Sequence, residues 1–313
     1  MTRFPPRWCE NTPDLICLGL SALDYVWTVE TFADPGGGKV RASDFRTIGG
    51  GMAATAAVTA ARLGARVQFW GRAGDDTHGH LMRRDLEERK VDVSNFRLFP
   101  GARSSISGVI VDARGERQIV NFRGANQPTD PGWLPLTEIG EAGAVLADPR
   151  WPEGAAAVFA AAREKGVPTV LDADVADPEV FDLLLPLTDH AVFSKRALEV
   201  YARNAPDPLA KIEAYGCRIA AVTEGSKGVT WREHGQTCHQ PAFPVRSVDT
   251  TGAGDVFHGA YAFGLAAGAP IAEAFTFASA AAALKCTKPG GRDGIPTLDE
   301  TLHLWRTAHE HDR

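Results

Sequence analysis

Short apolar runs alternate with helical patterns along most of this 313-residue chain. Strands are predicted at 15–20, 67–70, 144–147, 169–171, 191–193 and 219–223, and helices at 52–63, 77–90, 154–165, 196–203, 207–215, 253–268, 270–286 and 298–309. Strands that alternate with helices form βαβ units, in which a largely parallel sheet is covered by helices on both faces. The pattern predicts an α/β sandwich, and the length suits one large domain over residues 1–313.

Two stretches, about 25–47 and 104–124, break this alternation. The first reads Tyr-Val-Trp-Thr-Val, then a Pro-Gly-Gly-Gly turn at 35–38, then Lys-Val-Arg-Ala-Ser at 39–43. The second reads Ser-Ile-Ser-Gly-Val-Ile-Val-Asp, a turn at 113–116, and Arg-Gln-Ile-Val-Asn-Phe. Such runs around turns indicate antiparallel hairpins, which fit poorly into a parallel sheet. We predict a small β appendage at one edge of the sandwich.

Composition and charge argue against several classes of function. The net charge of −6 argues against a general nucleic-acid-binding surface. The five cysteines are scattered without metal-type pairing, which is typical of reduced thiols in a cytoplasmic protein. Residues 1–13 contain no signal-peptide run, and the Ala-rich stretch 272–284 carries Glu273 and is interpreted as a buried helix. We therefore expect a cytoplasmic protein with no nucleic-acid or membrane partner.

The run Val-Asp-Thr-Thr-Gly-Ala-Gly-Asp at 248–255, followed by Val-Phe-His-Gly-Ala, is the most informative motif. Gly252 and Gly254 allow a sharp turn close to an anion, and the first amides of a following helix are free to bind it. Asp255 among those amides could accept a hydroxyl proton while Gly252, Ala253 and Gly254 hold the developing charge. This arrangement suits phosphoryl transfer to an alcohol, although a plain strand-to-helix turn with a capping Asp has the same pattern.

A second glycine motif, Gly-Gly-Gly-Met-Ala-Ala-Thr-Ala, stands at 49–56. With the two motifs near its two ends, the chain resembles the ribokinase-like (PfkB) carbohydrate kinases from Cys-Leu-Gly-Leu at 17–20 to Gly-Gly-Arg at 290–292. It shares Gly-Arg-Ala-Gly-Asp-Asp-Thr-His-Gly at 71–79 and Val-Thr-Glu-Gly-Ser-Lys-Gly at 222–228. The resemblance implies a ribokinase-like α/β/α sandwich whose β-sheet lid covers the sugar and often forms a homodimer contact. It also implies ATP as donor, Mg²⁺ held mainly through phosphates, and Asp255 as base.

The resemblance assigns two groups of binding residues. Asp24 follows the first strand where the family binds sugar hydroxyls, and an ionised Asp can accept from two of them. Without the resemblance, Asp24 would be interpreted as a turn or cap residue. The remaining assigned residues are Gly50 and Gly51 for the sugar and Thr223, Gly225 and Gly228 for the nucleotide. A plain hairpin turn would give the same pattern as the nucleotide group.

Four segments, at 49–58, 146–151, 170–174 and 283–296, are similar to the 6-deoxy-6-sulfofructose kinases, which phosphorylate the 1-hydroxyl of a sulfonated ketose in sulfoquinovose breakdown. In that subgroup a Lys, an Asn and an Arg surround the sulfonate, and the matching residues here are Lys39, Asn121 and Arg150. A sulfonate is a permanent anion that needs donors and positive charge. Since a phosphate has the same needs, kinases of fructose 6-phosphate or tagatose 6-phosphate remain alternatives. A kinase of a neutral ketose also remains an alternative. A non-catalytic sugar or nucleotide sensor on the same fold is another.

The sequence departs from the family pattern at two places. Ala54 stands where many members carry a sugar-binding Asn, which argues against an ordinary ribokinase. Residues 193–199 contain Glu199 but lack the Asn of the usual metal-organising motif, so Asp172 and Asp174 become candidates and the metal ligands are unknown. Asp249 and residues 288–291 match regions that hold a monovalent cation in some members, which makes K⁺ a candidate cofactor. His258 is expected to be a packed or capping imidazole.

Overall fold

The computed structural model describes residues 6–33 and 36–311, with side chains up to residue 307, and this part contains thirteen strands and nine α-helices. The strands are β1 Asp14–Gly19, β2 Ala22–Thr28, β3 Asp44–Gly50, β4 Arg66–Gly74, β5 Phe96–Phe99, β6 Ile106–Val111, β7 Arg117–Phe122, β8 Ala144–Ala147, β9 Thr169–Ala173, β10 His190–Ser194, β11 Ile219–Thr223, β12 Val229–Glu233 and β13 Gln236–Gln240. The helices are α1 Met52–Arg62, α2 Thr77–Glu88, α3 Pro152–Glu164, α4 Pro178–Leu184, α5 Lys195–Tyr201, α6 Pro208–Glu213, α7 Ala253–Ala266, α8 Ile271–Cys286 and α9 Leu298–His311. No helix in this part combines the length and apolar character needed to cross a membrane.

Nine strands form the main sheet, in the order β13-β12-β11-β10-β9-β8-β1-β4-β5. The strands from β11 to β5 are all parallel, and β12 and β13 extend one edge as an antiparallel hairpin. Alternate residues of β1 enter two cores: Leu15 and Cys17 pack with α1, α7 and α8, whereas Ile16 and Leu18 pack with α3 and α4. The predicted α/β sandwich is confirmed. Its parallel strands end at one edge, where α/β folds bind ligands.

The small sheet has the order β3-β2-β6-β7. Its two hairpins are antiparallel, β2 with β3 and β6 with β7, and they join through the parallel pair β2 and β6. The sequence ranges 25–47 and 104–124 cover β6 and β7, but β2 begins before the first range and β3 ends after it. We call this unit the small sheet.

The second strand of the first hairpin was predicted wrongly. It was placed at 39–43, but β3 runs from Asp44 to Gly50, and Thr28 pairs with Asp44. Residues 36–43 form an exposed connection, and Pro35 of the predicted turn lies outside the described residues. The motif glycines Gly49 and Gly50 therefore end a strand. Pairing with β2 decides this, because the polar sequence of β3 has little strand signal of its own.

Four further elements were missed from sequence: β5, β12, β13 and α4. Strand β5 has four residues and α4 has seven. Elements this short do not show a clear periodicity of apolar residues in the sequence. Strands β12 and β13 flank a tight turn in which His234 has a φ of 51°. The sequence signal for this hairpin is weak because its outer strand is largely polar and exposed.

Candidate active site

The start of α7 forms an anion-binding turn. Gly252 caps the helix with a φ of 74°, a conformation that favours glycine, and its carbonyl accepts from the Val256 amide at 2.9 Å. In the described part of the chain, the amides of Gly252, Gly254 and Asp255 donate no hydrogen bond. The prediction for Ala253 was wrong, because its amide already donates to the Thr250 carbonyl at 3.2 Å. They lie at the positive end of a 14-residue helix. The anion loop, which we define as residues 249–255, can therefore bind phosphate oxygens.

A cavity of about 490 Å³ opens beside the anion loop. Ala253 and Gly254 form part of its wall, and the predicted nucleotide residues Thr223, Gly225 and Gly228 form another part. Apolar side chains complete the lining, among them Phe243, Val245, Phe257 and Ala283. The volume is within the range of small-molecule sites. Folding thus brings the predicted nucleotide residues and the anion loop into one cavity.

Asp255 is half-buried and lies in a group of acids at the carboxyl ends of the strands, of which Asp148 and Asp172 are buried. Burial raises the pKa of Asp255 well above its usual value, and the nearby Asp172 carboxylate raises it further. Burial also raises the pKa of Asp172, whose Oδ2 has no hydrogen-bond partner among the described residues. A carboxyl group with a raised pKa in a cleft has the properties of a general base.

His258 packs under this group rather than pointing out of it. Its Nδ1 lies 2.8 Å from the Gly254 carbonyl and 3.3 Å from Asp172 Oδ1, and its Nε2 lies 3.1 Å from the Val192 carbonyl. Burial lowers the pKa of the ring. As predicted, His258 is a packed imidazole, and it holds the first turn of α7 against β10.

Asp24 and Asn121 lie in one row across the small sheet. Asp24 pairs in register with Ser107, and Ser107 pairs with Asn121. Asn121 Nδ2 donates to Ser107 Oγ at 3.2 Å, and Ser107 hydrogen-bonds the Asp24 carboxylate. Burial raises the pKa of Asp24, although the Ser107 hydrogen bond opposes this. Sequence reasoning missed Ser107, for which the register opposite Asp24 is the only signal.

The two cations predicted to bind the sulfonate, Arg150 and Lys39, have different surroundings in the structure. Arg150 is anchored at the strand ends: its guanidinium donates to the Val175 carbonyl at 2.7 Å and to Asp174 Oδ2 at 3.0 Å. Its charge acts on Asp172 and Asp148. Lys39 lies on the exposed 36–43 connection and forms no hydrogen bond or ion pair with the described residues. Only Arg150 of these two cations belongs to the acid group.

Two residues that hold the glycine motif were missed from sequence. Asp148 is fully buried and accepts hydrogen bonds from the Leu20 amide at 2.8 Å and the Ala53 amide at 3.0 Å. Arg292 is buried as well and donates to the Gly50 carbonyl at 2.7 Å. Gly51, with a φ of 94°, caps α1 between these two contacts. The motif is therefore fixed by two buried side chains, at the Gly50 carbonyl and at the Ala53 amide.

The pattern of the pfkB family carbohydrate kinases matches residues 12–298. The chain belongs to this family. Ribokinase from Bacillus subtilis (strain 168) is 32% identical over 295 residues, covering 92% of this kinase and 98% of that protein. Fructokinase from Klebsiella pneumoniae is 33% identical over 280 residues, covering 80% and 90%. These relatives confirm an ATP-dependent carbohydrate kinase.

Solved structures agree with this assignment. The structure of Arabidopsis thaliana ribokinase complexed with ribose and ATP has a TM-score of 0.82 at 26% identity, over 95% of this kinase and 99% of that chain. A protein from Agrobacterium tumefaciens has a TM-score of 0.90 at 38% identity, over 96% and 99%. The predicted ribokinase-like fold is thereby confirmed.

The side chains of the kinase offer little for a dedicated metal site. Within residues 6–33 and 36–311, no group of three or more histidine, cysteine or carboxylate side chains could hold a metal ion. Mg²⁺ commonly binds through substrate phosphates and one or two carboxylates. Asp172, with its unpartnered Oδ2, has the acceptor capacity to bind such an ion or one of its waters.

The raised pKa of Asp255 predicts the pH dependence of the kinase. A base must be ionised, so kcat should fall as the pH drops through this raised pKa, above the ordinary carboxylate range. The same shift makes this group's contribution to folding stability decrease as the pH rises through that pKa. Asp172→Asn removes the repelling charge and should move the acid limb to lower pH. A pH profile of kcat for both proteins tests this, and an unmoved limb would show that Asp172 does not tune the base.

Proposed function

We propose that this kinase transfers the γ-phosphoryl group of ATP to the 1-hydroxyl of 6-deoxy-6-sulfofructose, in the cytoplasmic breakdown of sulfoquinovose. The observation that carries the transfer chemistry is Asp255, half-buried with a raised pKa beside three free amides of the anion loop. All five cysteines are free thiols, which agrees with a reducing compartment.

In the proposed reaction, Asp255 takes the proton of the 1-hydroxyl as its oxygen attacks the γ-phosphorus in line. The amides of Gly252, Gly254 and Asp255 stabilise the charge on the transferred group. Mg²⁺, when bound, neutralises charge on the donor phosphates. The adenosine part of ATP would lie in the cavity lined by Thr223, Gly225 and Gly228.

The proposed sugar site lies on the Asp24 side of the small sheet. Asp24 would accept hydrogen bonds from sugar hydroxyls, and Gly50 and Gly51 would approach the sugar with their backbone. Asn121 and Arg150 would donate to the sulfonate, for which Arg150 must exchange part of its contact with Asp174. Closure of the small sheet as a lid would bring Lys39 to the same anion and exclude water.

We also propose that the kinase is a homodimer through the small sheet. The strand register places Trp27, Phe45, Ile110 and Val120 on the face opposite Asp24. All four are exposed, Val120 at 78% and Phe45 at 51%. An apolar face of this kind is typical of a protein contact, and a second copy would cover it.

An ADP-release assay tests the substrate. It compares 6-deoxy-6-sulfofructose, fructose 6-phosphate and fructose with ATP and Mg²⁺. We expect kcat/KM for the sulfosugar to exceed the others by about a hundredfold, about 3 kcal/mol of transition-state discrimination. Preference for fructose 6-phosphate or fructose would reject the sulfonate assignment and leave the kinase chemistry standing.

The contribution of Arg150 can be measured separately. Arg150→Ala removes a charged donor, so we expect the KM for the sulfosugar to rise about 10- to 100-fold while the Kd for ATP stays nearly unchanged. Arg163→Ala is the matched control, because Arg163 also donates to a backbone carbonyl, that of Pro186 at 2.7 Å, but lies on the exposed surface of α3. An unchanged KM in Arg150→Ala would remove Arg150 from the anion site.

A further inference from the structure

The Lys285 side chain ends in an enclosed set of oxygen atoms beside the anion loop. Its side chain is 0% exposed. The Nζ atom donates to the Asp249 carbonyl at 3.1 Å and to the Lys288 carbonyl at 3.4 Å, and it lies 3.7 Å from Asp249 Oδ2. Burying an ammonium group is costly unless its charge is compensated. This lysine is therefore held for its charge and not merely as part of the apolar face of α8.

The oxygens around Lys285 come from two segments that meet at the anion loop. The Val248 and Asp249 amides donate to the Cys286 carbonyl at 2.7 and 3.1 Å, which ties the loop to the end of α8. Asp249 also accepts from the Thr251 amide at 2.9 Å and the Gly290 amide at 3.3 Å. Lys285 adds the positive charge at this junction. The start of the anion loop is thus held at Asp249, whose carbonyl and carboxylate both face the buried ammonium.

Asp249 receives a second positive charge from the small sheet. Arg117, at the start of β7, donates to Asp249 Oδ1 at 2.8 Å. Arg117 is partly exposed, so solvent screens this pair more than the enclosed Lys285 contact. Burial acts to raise the pKa of Asp249, but hydrogen bonds from Thr251 and the charges of Lys285 and Arg117 lower it to about 2. Asp249 therefore stays ionised as a partner for the ammonium.

Backbone carbonyls together with a carboxylate are the oxygen ligands that monovalent cations take in proteins. We propose that the Lys285 ammonium is a built-in monovalent cation that holds the anion loop in its phosphate-binding shape, so that this kinase needs no exchangeable K⁺. Lys285 is a positioning residue, since it acts through the loop backbone. The proposal rests on ATP phosphates binding at the anion loop and is independent of which sugar is phosphorylated.

Two variants of Lys285 separate the charge from the packing. Lys285→Ala leaves room for a free cation, whereas Lys285→Met fills much of the same space without charge. The Kd for ATP is measured by calorimetry with tetramethylammonium as the only monovalent cation, and again after addition of K⁺ or NH₄⁺. The melting temperature without nucleotide is measured in the same buffers. This second measurement also detects a variant that folds only when the cation is present.

We expect the wild-type Kd to be the same in every buffer. Lys285→Ala should bind ATP roughly tenfold or more weakly in tetramethylammonium and recover with K⁺ or NH₄⁺. Lys285→Met should stay weak in all buffers. The melting temperature should rise with K⁺ or NH₄⁺ in Lys285→Ala alone.

Three results would overturn the proposal: wild-type protein that needs K⁺ to bind ATP, Lys285→Ala that binds ATP as tightly as wild type in tetramethylammonium, or weak binding that neither cation restores. Wild-type protein that binds no ATP in any buffer would contradict the nucleotide site instead. In that case the rise in melting temperature of Lys285→Ala with K⁺ or NH₄⁺ still supports the built-in cation.

Discussion

Asp255→Asn is expected to lower kcat by about 10²- to 10⁴-fold, the usual contribution of a general base. The asparagine has nearly the same shape but cannot accept the hydroxyl proton, while the loop amides remain. The Kd for ATP should therefore change little. Since burial and Asp172 make the ionised carboxylate unfavourable, the variant should melt at the same temperature as wild type or higher.

Steady-state kinetics, calorimetry with ATP and thermal melting on one preparation test this prediction. The matched control is Asp130→Asn, since Asp130 is an exposed loop carboxylate that accepts from the Gly132 amide at 2.9 Å. The control should keep wild-type kcat. Turnover by Asp255→Asn within a few-fold of the control would show that another group takes the proton.

Arg292→Met is expected to have the largest effect on stability, about 3–5 kcal/mol of the free energy of unfolding. The side chain is 1% exposed and joins Asp85, Thr55 Oγ1 and the Gly50 carbonyl. Methionine fills a similar volume but leaves the Asp85 carboxylate and the Gly50 carbonyl without this partner. The Gly50–Gly51 segment would also lose its support, so the KM for the sugar should rise.

Urea unfolding of wild type and the variant measures this loss. Arg66→Met is the control, because Arg66 makes an ion pair with Asp14 at 2.5 Å on the surface, with 65% of its side chain exposed. Exposed pairs contribute little, so the control should unfold close to wild type. Equal unfolding curves for the two variants would mean that Arg292 does not hold the glycine motif.

Local signals were sufficient to predict the sandwich. Strands such as β8 are fully buried, so continuous apolar runs mark them in sequence. Strand β3 was misplaced because its sequence Asp-Phe-Arg-Thr-Ile-Gly-Gly is mostly exposed or half-buried, and only pairing with β2 sets its position. Non-local pairing of this kind cannot be derived from the composition of the strand.

In the candidate site as well, residues that are close in sequence could be predicted and residues that meet only on folding could not. The anion loop and Asp255 lie within one short motif, so sequence could place them together, and their roles stay predictions until the variants are measured. The supporting residues could not be predicted, because their contacts join residues that are distant in sequence. Arg292 and Thr55 are 237 residues apart, and Asp148 and Ala53 are 95 apart. Lys285 in sequence is one basic residue of an Ala-rich helix, and only folding shows its buried oxygen partners.

Identification of the product tests the central claim most directly, that this site moves phosphate from ATP to a primary hydroxyl of an anionic ketose. The wild-type kinase is incubated with ATP, Mg²⁺ and 6-deoxy-6-sulfofructose, and the product is examined by ³¹P and ¹H NMR. We expect one new phosphate ester whose phosphorus couples to the two protons on carbon 1, with one ADP formed for each ester. Phosphate on another carbon, or ADP formed without a sugar ester, would contradict the account.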